Sequence, residues 1–445
     1  MKKLFGTDGI RGVAGEFPLN ESTVRVIGAS LARLFRQRLG RNPKFITGRD
    51  TRESGPAIEA AFHTGANAEK AHVESAGVIP TPGVAYVTRA FDFDAGIVIS
   101  ASHNPFQDNG IKVFLANGRK LEDAAERLIE SDIHAGVAID HFATVQAERV
   151  IEFSTAYVDH LRKEVNVFAA AGTRVVLDCA NGASSHLAPQ LFTDIGADVV
   201  AIHNSPDGLN INENCGSLHL EHLQAKVVQE RADIGVAFDG DADRALFVDE
   251  NGEIVDGDAT MWIMARYLKD HGKLANSTVV ATVMSNIGLE LALKSKGINL
   301  LRTDVGDKYV LEKLIETDSE IGGEQSGHII FPEISLVGDG MMTGMLLLRA
   351  IKEKRCSLSE AVAGLIRYPQ ILLNVKVREK RPFADVPPIA DAASKIENEL
   401  HGEGRLLLRY SGTENLARVM IEGKDQTAIE SQARRLIDVI QQALG

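Results

Sequence analysis

Cysteine, tryptophan and long apolar runs are nearly absent from this chain, and each absence narrows what it can be. Its three cysteines, Cys179, Cys215 and Cys356, lie far apart, with neither even pairing nor metal-type spacing. That points away from a disulfide framework and towards thiols of a reducing cytosol. No stretch approaches the roughly 18 apolar residues of a membrane span, and the first residues turn polar without a signal-peptide core. A cytoplasmic protein with no membrane partner is expected. Basic residues do not dominate either: 48 Lys and Arg against 61 Asp and Glu leave a net charge of -13. Such a balance argues against a nucleic-acid partner. An anionic ligand would need cations gathered in a cleft.

What is present is a repeated unit. At 445 residues the chain should divide into three or four domains. β-rich runs open at residues 44–47, 174–177 and 278–281. Each is followed by a helical stretch and a second β-rich run, at 71–73, 197–200 and 298–301. Strand–helix–strand alternation predicts mostly parallel sheets with helical cover. A third run follows in each unit, at 94–100, 233–239 and 320–324, and directly after these stand the three polar clusters of the chain. Ligands of open α/β sheets sit beyond the carboxyl ends of strands, so three related domains would offer three chemical tools from equivalent ends. Beyond about residue 368 the pattern changes. Strands are predicted at 372–377 and 404–409, a proline-marked loop (Pro382, Pro387, Pro388) between them, and an amphipathic helix over 427–444. The expected architecture is α/β: three similar mixed or parallel-sheet domains at 1–152, 153–253 and 254–367, and a smaller α+β domain at 368–445, around a central cleft.

The first cluster, residues 100–105 (SASHNP), puts serines at an exposed strand end, where a hydroxyl can serve as nucleophile or phosphate carrier. No Gly-x-Ser-x-Gly elbow surrounds it. The second, residues 239–244 (DGDADR), sets Asp239, Asp241 and Asp243 at alternate positions, and a divalent cation taking hard oxygen ligands would offset their repulsion. An EF-hand loop is the rival, with Glu250 at its twelfth position. Position six, however, is Arg244 instead of glycine, and the flanks are strand-like. The third cluster, residues 323–328 (GEQSGH), gathers a carboxylate, an amide, a hydroxyl and an imidazole, an inventory suited to sugar hydroxyls. Residues 409–415 (RYSGTEN), between two strand-like segments, read as a phosphate cradle that Arg418 could join. Residues 5–12 (FGTDGIRG) form a second glycine-rich segment ending in Arg11, and residues 47–52 a weaker one that would support the nucleophile domain. Arg11, Arg49, Lys112, Arg244, Lys308, Arg409 and Arg418 are the candidate cleft cations.

Together, in order and spacing, these segments resemble the α-D-phosphohexomutase superfamily over the whole chain. Within it, residues 5–12, 102–112 and 323–328 are most similar to the branch that acts on glucosamine phosphate for cell-wall precursors. The resemblance implies that Ser102 is a phosphoserine, and that its phosphate with Asp239, Asp241 and Asp243 holds Mg2+. It implies that Glu324 and Ser326 contact sugar hydroxyls, and that the loop 302–307, including Gly306, reads the sugar's orientation. Arg409, Ser411, Gly412, Thr413 and Arg418 would grip the non-reacting phosphate. Arg244 would meet phosphate, and Arg11, Lys112 and His328 would stand where a general acid or base acts. The expected partner is a small sugar phosphate, with a sugar 1,6-bisphosphate as intermediate and activator, in a monomer or homodimer. Two positions depart from the family pattern: Ala242 stands where glycine is usual and Asn415 where proline is common. Mannose or glucose phosphate, a metal-dependent phosphatase, and a non-catalytic sugar-phosphate-binding protein are the alternative readings.

Overall fold

The computed structural model describes residues 3–6, 8–137, 150–165, 170–411 and 415–445. The first sheet contains β1 (Phe5–Gly6), β2 (Gly9–Val13), β3 (Lys44–Arg49), β4 (His72–Val78), β5 (Ala95–Ile99) and β6 (Asp108–Leu115), in the order β1-β2-β6-β5-β3-β4. The second contains β7 (Arg174–Asp178), β8 (Asp198–Ile202), β9 (Ile234–Phe238), β10 (Ala245–Asp249) and β11 (Ile254–Val255), ordered β11-β10-β9-β7-β8. The third contains β12 (Thr278–Thr282), β13 (Asn299–Thr303), β14 (Gly322–Gly323) and β15 (Ile329–Ile330), ordered β13-β12-β14-β15.

The three predicted runs of each unit recur in these sheets. β3 pairs in parallel with β4 and β5, and β7 with β8 and β9; β12 does so with β14. The third strand of each unit then returns antiparallel, as β6, β10 and β15, which makes all three sheets mixed. Every one of the three polar clusters lies in that return. β5, β9 and β12 are buried at every residue, so these central strands have core on both faces and read as continuous apolar runs. Helices Glu21–Leu39 and Gly55–Ala68 cross closely over the first sheet because Gly65 lacks a side chain: a Cβ there would lie 1.9 Å from the Arg25 carbonyl oxygen. The apolar run 341–348 forms the buried part of the helix Gly340–Lys354. Among the described residues no helix is long and apolar enough to cross a membrane.

Two compact units divide the chain: Met1–Met284 with Leu300–Ala363, and Ser285–Asn299 with Gly364–Gly445. The three polar clusters all fall in the first. The second holds the antiparallel sheet of β16 (Gln370–Lys376), β17 (Arg405–Tyr410) and β18 (Leu416–Glu422), with β18 central. The helix Gln426–Leu444 buries Ile429, Ala433, Leu436 and Ile440 in its core, as the amphipathic pattern predicts. Pro387 and Pro388 correct the expected loop. They begin the helix Pro387–Glu399, whose first turn tolerates proline because its N–H groups have no intrahelical partner. Asn286 ties the segment Ser285–Asn299 into this unit through hydrogen bonds with the backbone of Tyr368 in both directions.

Candidate active site

Ser102 begins the return from β5 in the left-handed conformation, with φ 54°, which costs a non-glycine residue about 1–2 kcal/mol. Hydrogen bonds from two sheets hold it there. The fully buried Arg52 pairs through Nε with Asp50 at 2.9 Å. Its other nitrogens donate to the carbonyls of Ser102 at 3.0 Å, Asn104 at 2.9 Å and Pro105 at 2.6 Å. Asn212, from the connection after β8, donates Nδ2 to the same Ser102 and Asn104 carbonyls, each at 2.9 Å. Ser100 Oγ accepts the Ser102 N–H at 2.9 Å and donates to Asp50 at 2.6 Å. The segment 47–52 thus supports the serine loop, through Asp50 and Arg52.

The hydroxyl so presented donates to Asp239 Oδ2 at 2.5 Å, 137 positions away in the chain. Asp239, Asp241 and Asp243 are all buried, and one oxygen of each lies within 4.8 Å of the others. Burial, with Asp243 and Asp241 alongside, pushes Asp239 well above the usual carboxylate range. Asp243 is held well below it: burial opposes ionisation, but Lys112, His328 and Arg244 outweigh it. Oδ1 of Asp241 and Oδ1 of Asp243 are buried without a hydrogen-bond partner. Crowded hard oxygens, two of them orphaned, fit a divalent cation such as Mg2+. The EF-hand alternative fails: β9 and β10 flank the loop, and Glu250 accepts the hydroxyl and N–H of Ser359. Ala242 takes φ 54° in this loop.

Lys112, on β6, donates Nζ to Asp241 at 2.8 Å and lies 2.9 Å from Asp8 Oδ2. Burial works against its charge, yet Asp241, Asp8 and Asp243 raise it well above the ordinary lysine value. It is therefore a fixed ammonium. Asp8 also takes Arg11 Nη2 at 2.5 Å and Lys120 Nζ at 2.6 Å; these cations hold it well below the usual range against its burial. Thr81 donates its hydroxyl to Asp241 Oδ2 at 2.6 Å.

Beside this cluster opens a cavity of about 420 Å³, whose lining includes Asp8, Arg11, His103, Asp243, Arg244, Gly306, Glu324 and His328. It draws on all three α/β sheets. Glu324 Oε1 accepts the Gly306 N–H at 3.2 Å, joining the two sugar-contact segments named from the sequence. Ser326 is half-buried in the same turn but does not line the cavity. His328 Nδ1 lies 3.6 Å from Asp243, and Nε2 accepts the Gly338 N–H at 3.1 Å. Burial opposes its charge, but Asp243, Asp307 and Glu324 push it up to about 9, whereas the Gly338 bond calls for a free lone pair on Nε2. The geometry of that bond puts the neutral ring's proton on Nδ1, facing Asp243. His103, whose Nδ1 is 3.3 Å from Ser102 Oγ, is driven down to about 4 by burial, Arg244 and Arg11, and is neutral.

Two expected cleft cations are elsewhere. Arg49 pairs with Glu59 at 3.3 Å, and Lys308 with Asp123 at 2.6 Å; each is spent on a local carboxylate. Arg409 and Arg418 belong to the second unit, where they face each other in register across β17 and β18. Burial and Arg418 draw Arg409 below the ordinary guanidinium value. Ser411 is buried, and its carbonyl accepts Lys380 Nζ at 2.6 Å. Gly412 and Thr413 lie outside the described residues. Asn415 accepts the Val377 N–H through its carbonyl. Sequence reasoning missed Asp8, Asp50, Arg52, Thr81, His103 and Asn212 as site residues. Asp8 and His103 stand inside motifs already singled out; Thr81 and Asn212 carry no local signal.

Sequence profiles of the phosphoglucomutase/phosphomannomutase family match in four consecutive parts. α/β/α domain I matches residues 2–139, domain II 155–252, domain III 256–368, and the C-terminal domain 372–439. The chain belongs to this family, the α-D-phosphohexomutases, and is a phosphohexomutase of the isomerase class. Phosphoglucosamine mutase of Solibacter usitatus is 48% identical over 448 residues, covering 100% of this chain and 99% of that protein. Phosphoglucosamine mutase of Acetivibrio thermocellus is 46% identical over the full length of both. Among solved structures, a phosphoglucomutase/phosphomannomutase family protein from Burkholderia thailandensis superposes with a TM-score of 0.82 at 24% identity, covering 100% of this chain and 98% of that one. N-acetylphosphoglucosamine mutase of Aspergillus fumigatus, in complex with GlcNAc-6P and magnesium, gives 0.67 at 19% identity, covering 99% and 96%.

Proposed function

We propose that this phosphohexomutase interconverts glucosamine 6-phosphate and glucosamine 1-phosphate, with Ser102 as its phosphorylated nucleophile and a sugar 1,6-bisphosphate as intermediate. The observation that carries the residue assignment is the meeting of Ser102 Oγ with the Asp239 carboxylate at 2.5 Å, beside a cavity lined by Arg11, Arg244 and His328. Full-length phosphoglucosamine mutases at 46–48% identity support the glucosamine substrate.

In this reading the phosphoryl group leaves Ser102 Oγ for the free hydroxyl of a sugar monophosphate, the bisphosphate turns end for end, and Ser102 recovers the other phosphate. Little covalent chemistry falls to the protein; positioning and charge balance dominate such transfers. Mg2+, held by Asp239, Asp241, Asp243 and the Ser102 oxygen or its phosphate, would neutralise charge on the phosphoryl oxygens. Lys112 acts as a cation, since Asp8 and Asp241 keep its proton in place. Arg11 and Arg244 steady the phosphoryl group from the cavity wall, and Arg11, Lys112 and His328 surround the reacting oxygens, the first two as fixed cations. Glu324, with Gly306 bonded to it, and Ser326 meet the sugar hydroxyls. Arg409, Ser411, Gly412, Thr413 and Arg418 take the non-reacting phosphate. The domains for this work are 1–152, 153–253, 254–367 and 368–445, and the sparse cysteines suit a cytoplasmic setting.

Ser102→Ala should abolish turnover while sugar-phosphate binding persists, and intact mass should locate one phosphate on the wild-type serine. Full activity in the variant would end the assignment. Glucosamine, mannose and glucose phosphates assayed side by side test the substrate, and a preference for mannose or glucose phosphate would overturn that part alone.

A further inference from the structure

Away from the active site, one side-chain cluster brings an oxygen, a nitrogen and a sulfur donor together. Asp178 ends β7, His203 follows β8, and Cys215 lies in the long connection before the helix Glu221–Glu230. One ligand atom of each is within 4.8 Å of the other two. Asp178 Oδ2 and His203 Nδ1 are 3.1 Å apart, close to the roughly 3.3 Å that separates two light ligands on one tetrahedral ion. Their alignment is poor for a hydrogen bond, yet the Asp178 carboxylate beside it still raises the imidazole above its ordinary value, so a bound ion would compete with a proton there. The carboxylate is oriented from behind instead. Its Oδ1 accepts the Ala180 N–H at 2.9 Å and its Oδ2 the Gly216 N–H at 3.0 Å, as outer hydrogen bonds orient metal ligands. Asp178 and Cys215 are buried, while the His203 side chain is 25% exposed, which gives an ion a way in.

We propose that Asp178, His203 and Cys215 form a second metal site, for a borderline-soft ion such as Zn2+, with an open position for water on the His203 side. Thiolate and imidazole select against Mg2+, as the three-aspartate cluster selects for hard ions, so donor chemistry sorts the two. On binding, the Sγ–H bond of Cys215 breaks, His203 gives up any proton on Nδ1, metal–sulfur and metal–nitrogen bonds form, and the protons leave to solvent.

The site's consequence reaches the nucleophile loop without touching substrate. Asn212, which holds the Ser102 and Asn104 carbonyls, lies three positions before Cys215, and its N–H donates to the Ala180 carbonyl at 2.9 Å. Ala180 itself follows Asp178 by two. An ion joining Asp178 to Cys215 clamps both flanks of this brace.

The test is spectroscopic and independent of the mutase reading. With excess Mg2+ occupying the hard site, Co2+ added to the chelator-treated full chain should give the near-ultraviolet charge-transfer band of a cobalt–thiolate bond. The band should saturate at one equivalent and vanish on addition of Zn2+. Cys215→Ser should lose it, whereas Cys179→Ser and Cys356→Ser should keep it, with circular dichroism confirming each fold. His203→Gln alters a partly exposed residue and keeps the test decisive should Cys215→Ser misfold: it should weaken Co2+ binding at least tenfold and abolish the Zn2+-induced rise in Tm. No thiolate band in the wild-type chain, a band that survives Cys215→Ser, or unchanged Co2+ affinity in His203→Gln would overturn the proposal.

Discussion

The returns from β5 and from β9 occupy equivalent places in their sheets and share a backbone device, yet they carry opposite tools. Each follows a strand buried at every residue, and each turns through a non-glycine residue at φ 54°, Ser102 in one and Ala242 in the other. The third return, from β14, makes its left-handed residue Gly327, at φ 91°. What differs is the dressing: a hydroxyl on the first, carboxylates on the second, hydrogen-bonding groups on the third. A strained turn at a rigid strand end fixes where a side chain stands, while the sequence of the turn decides its chemistry. Strain of this kind persists only where the surroundings over-determine it.

The comparison breaks most visibly at the carboxylates. Asp239→Asn keeps the shape of the second loop and should reduce turnover about a hundred- to a thousand-fold. Chelation of the wild-type chain should have the same effect, reversed by Mg2+; an Asp239→Asn chain with more than a tenth of normal activity would separate the two loops functionally. Next comes the scaffolding of the first loop. Arg52→Met leaves Asp50 buried and unpaired and should cost about 3–5 kcal/mol in denaturant unfolding. Arg244→Met, on the cavity wall, should change stability far less and activity far more.

A smaller effect should appear with pH beneath the second loop. Asp339 caps the helix Gly340–Lys354, whose first N–H donates to the Ala242 carbonyl at 3.0 Å. Burial raises Asp339 from 3.8 to about 6, although hydrogen bonds from the Met342 N–H and Tyr157 oppose the shift. Between those values the native chain binds a proton that the unfolded chain has released. Stability from this group is therefore full below pH ~4 and falls by about 3 kcal/mol as pH rises through 6. Unfolding measured from pH 4 to 7 should lose that slope in Asp339→Asn, and an unchanged slope would assign it to other groups. The smallest change is Ala242→Gly, which relieves the left-handed strain and should raise stability by up to about 1 kcal/mol, read as a shift of a few degrees or less in Tm.

The three polar returns are legible in the sequence because their strands are short apolar runs and their chemistry is written contiguously. The repeat of three α/β units follows from the same runs. What joins the units is not local. Asn212 acts through its amide on carbonyls 108 and 110 positions away, and Thr81 reaches Asp241 across 160; nothing in their neighbourhoods marks them. Arg52 stands in a segment read as supporting, but its three carbonyl partners exist only once the loop has folded around it. Charge alone misleads for Arg49 and Lys308, since a nearby carboxylate claims each. Pro387 and Pro388 misread as a loop because proline both ends and begins helices, and only the following apolar spacing distinguishes the two.

The brace on Ser102 couples chemistry to assembly. Because its carbonyl is gripped by Arg52 from one sheet and Asn212 from another, while its hydroxyl meets a carboxylate of the second, a chain in which those sheets have not docked holds a serine without a partner. An unfinished molecule then lacks the meeting of hydroxyl and carboxylate altogether.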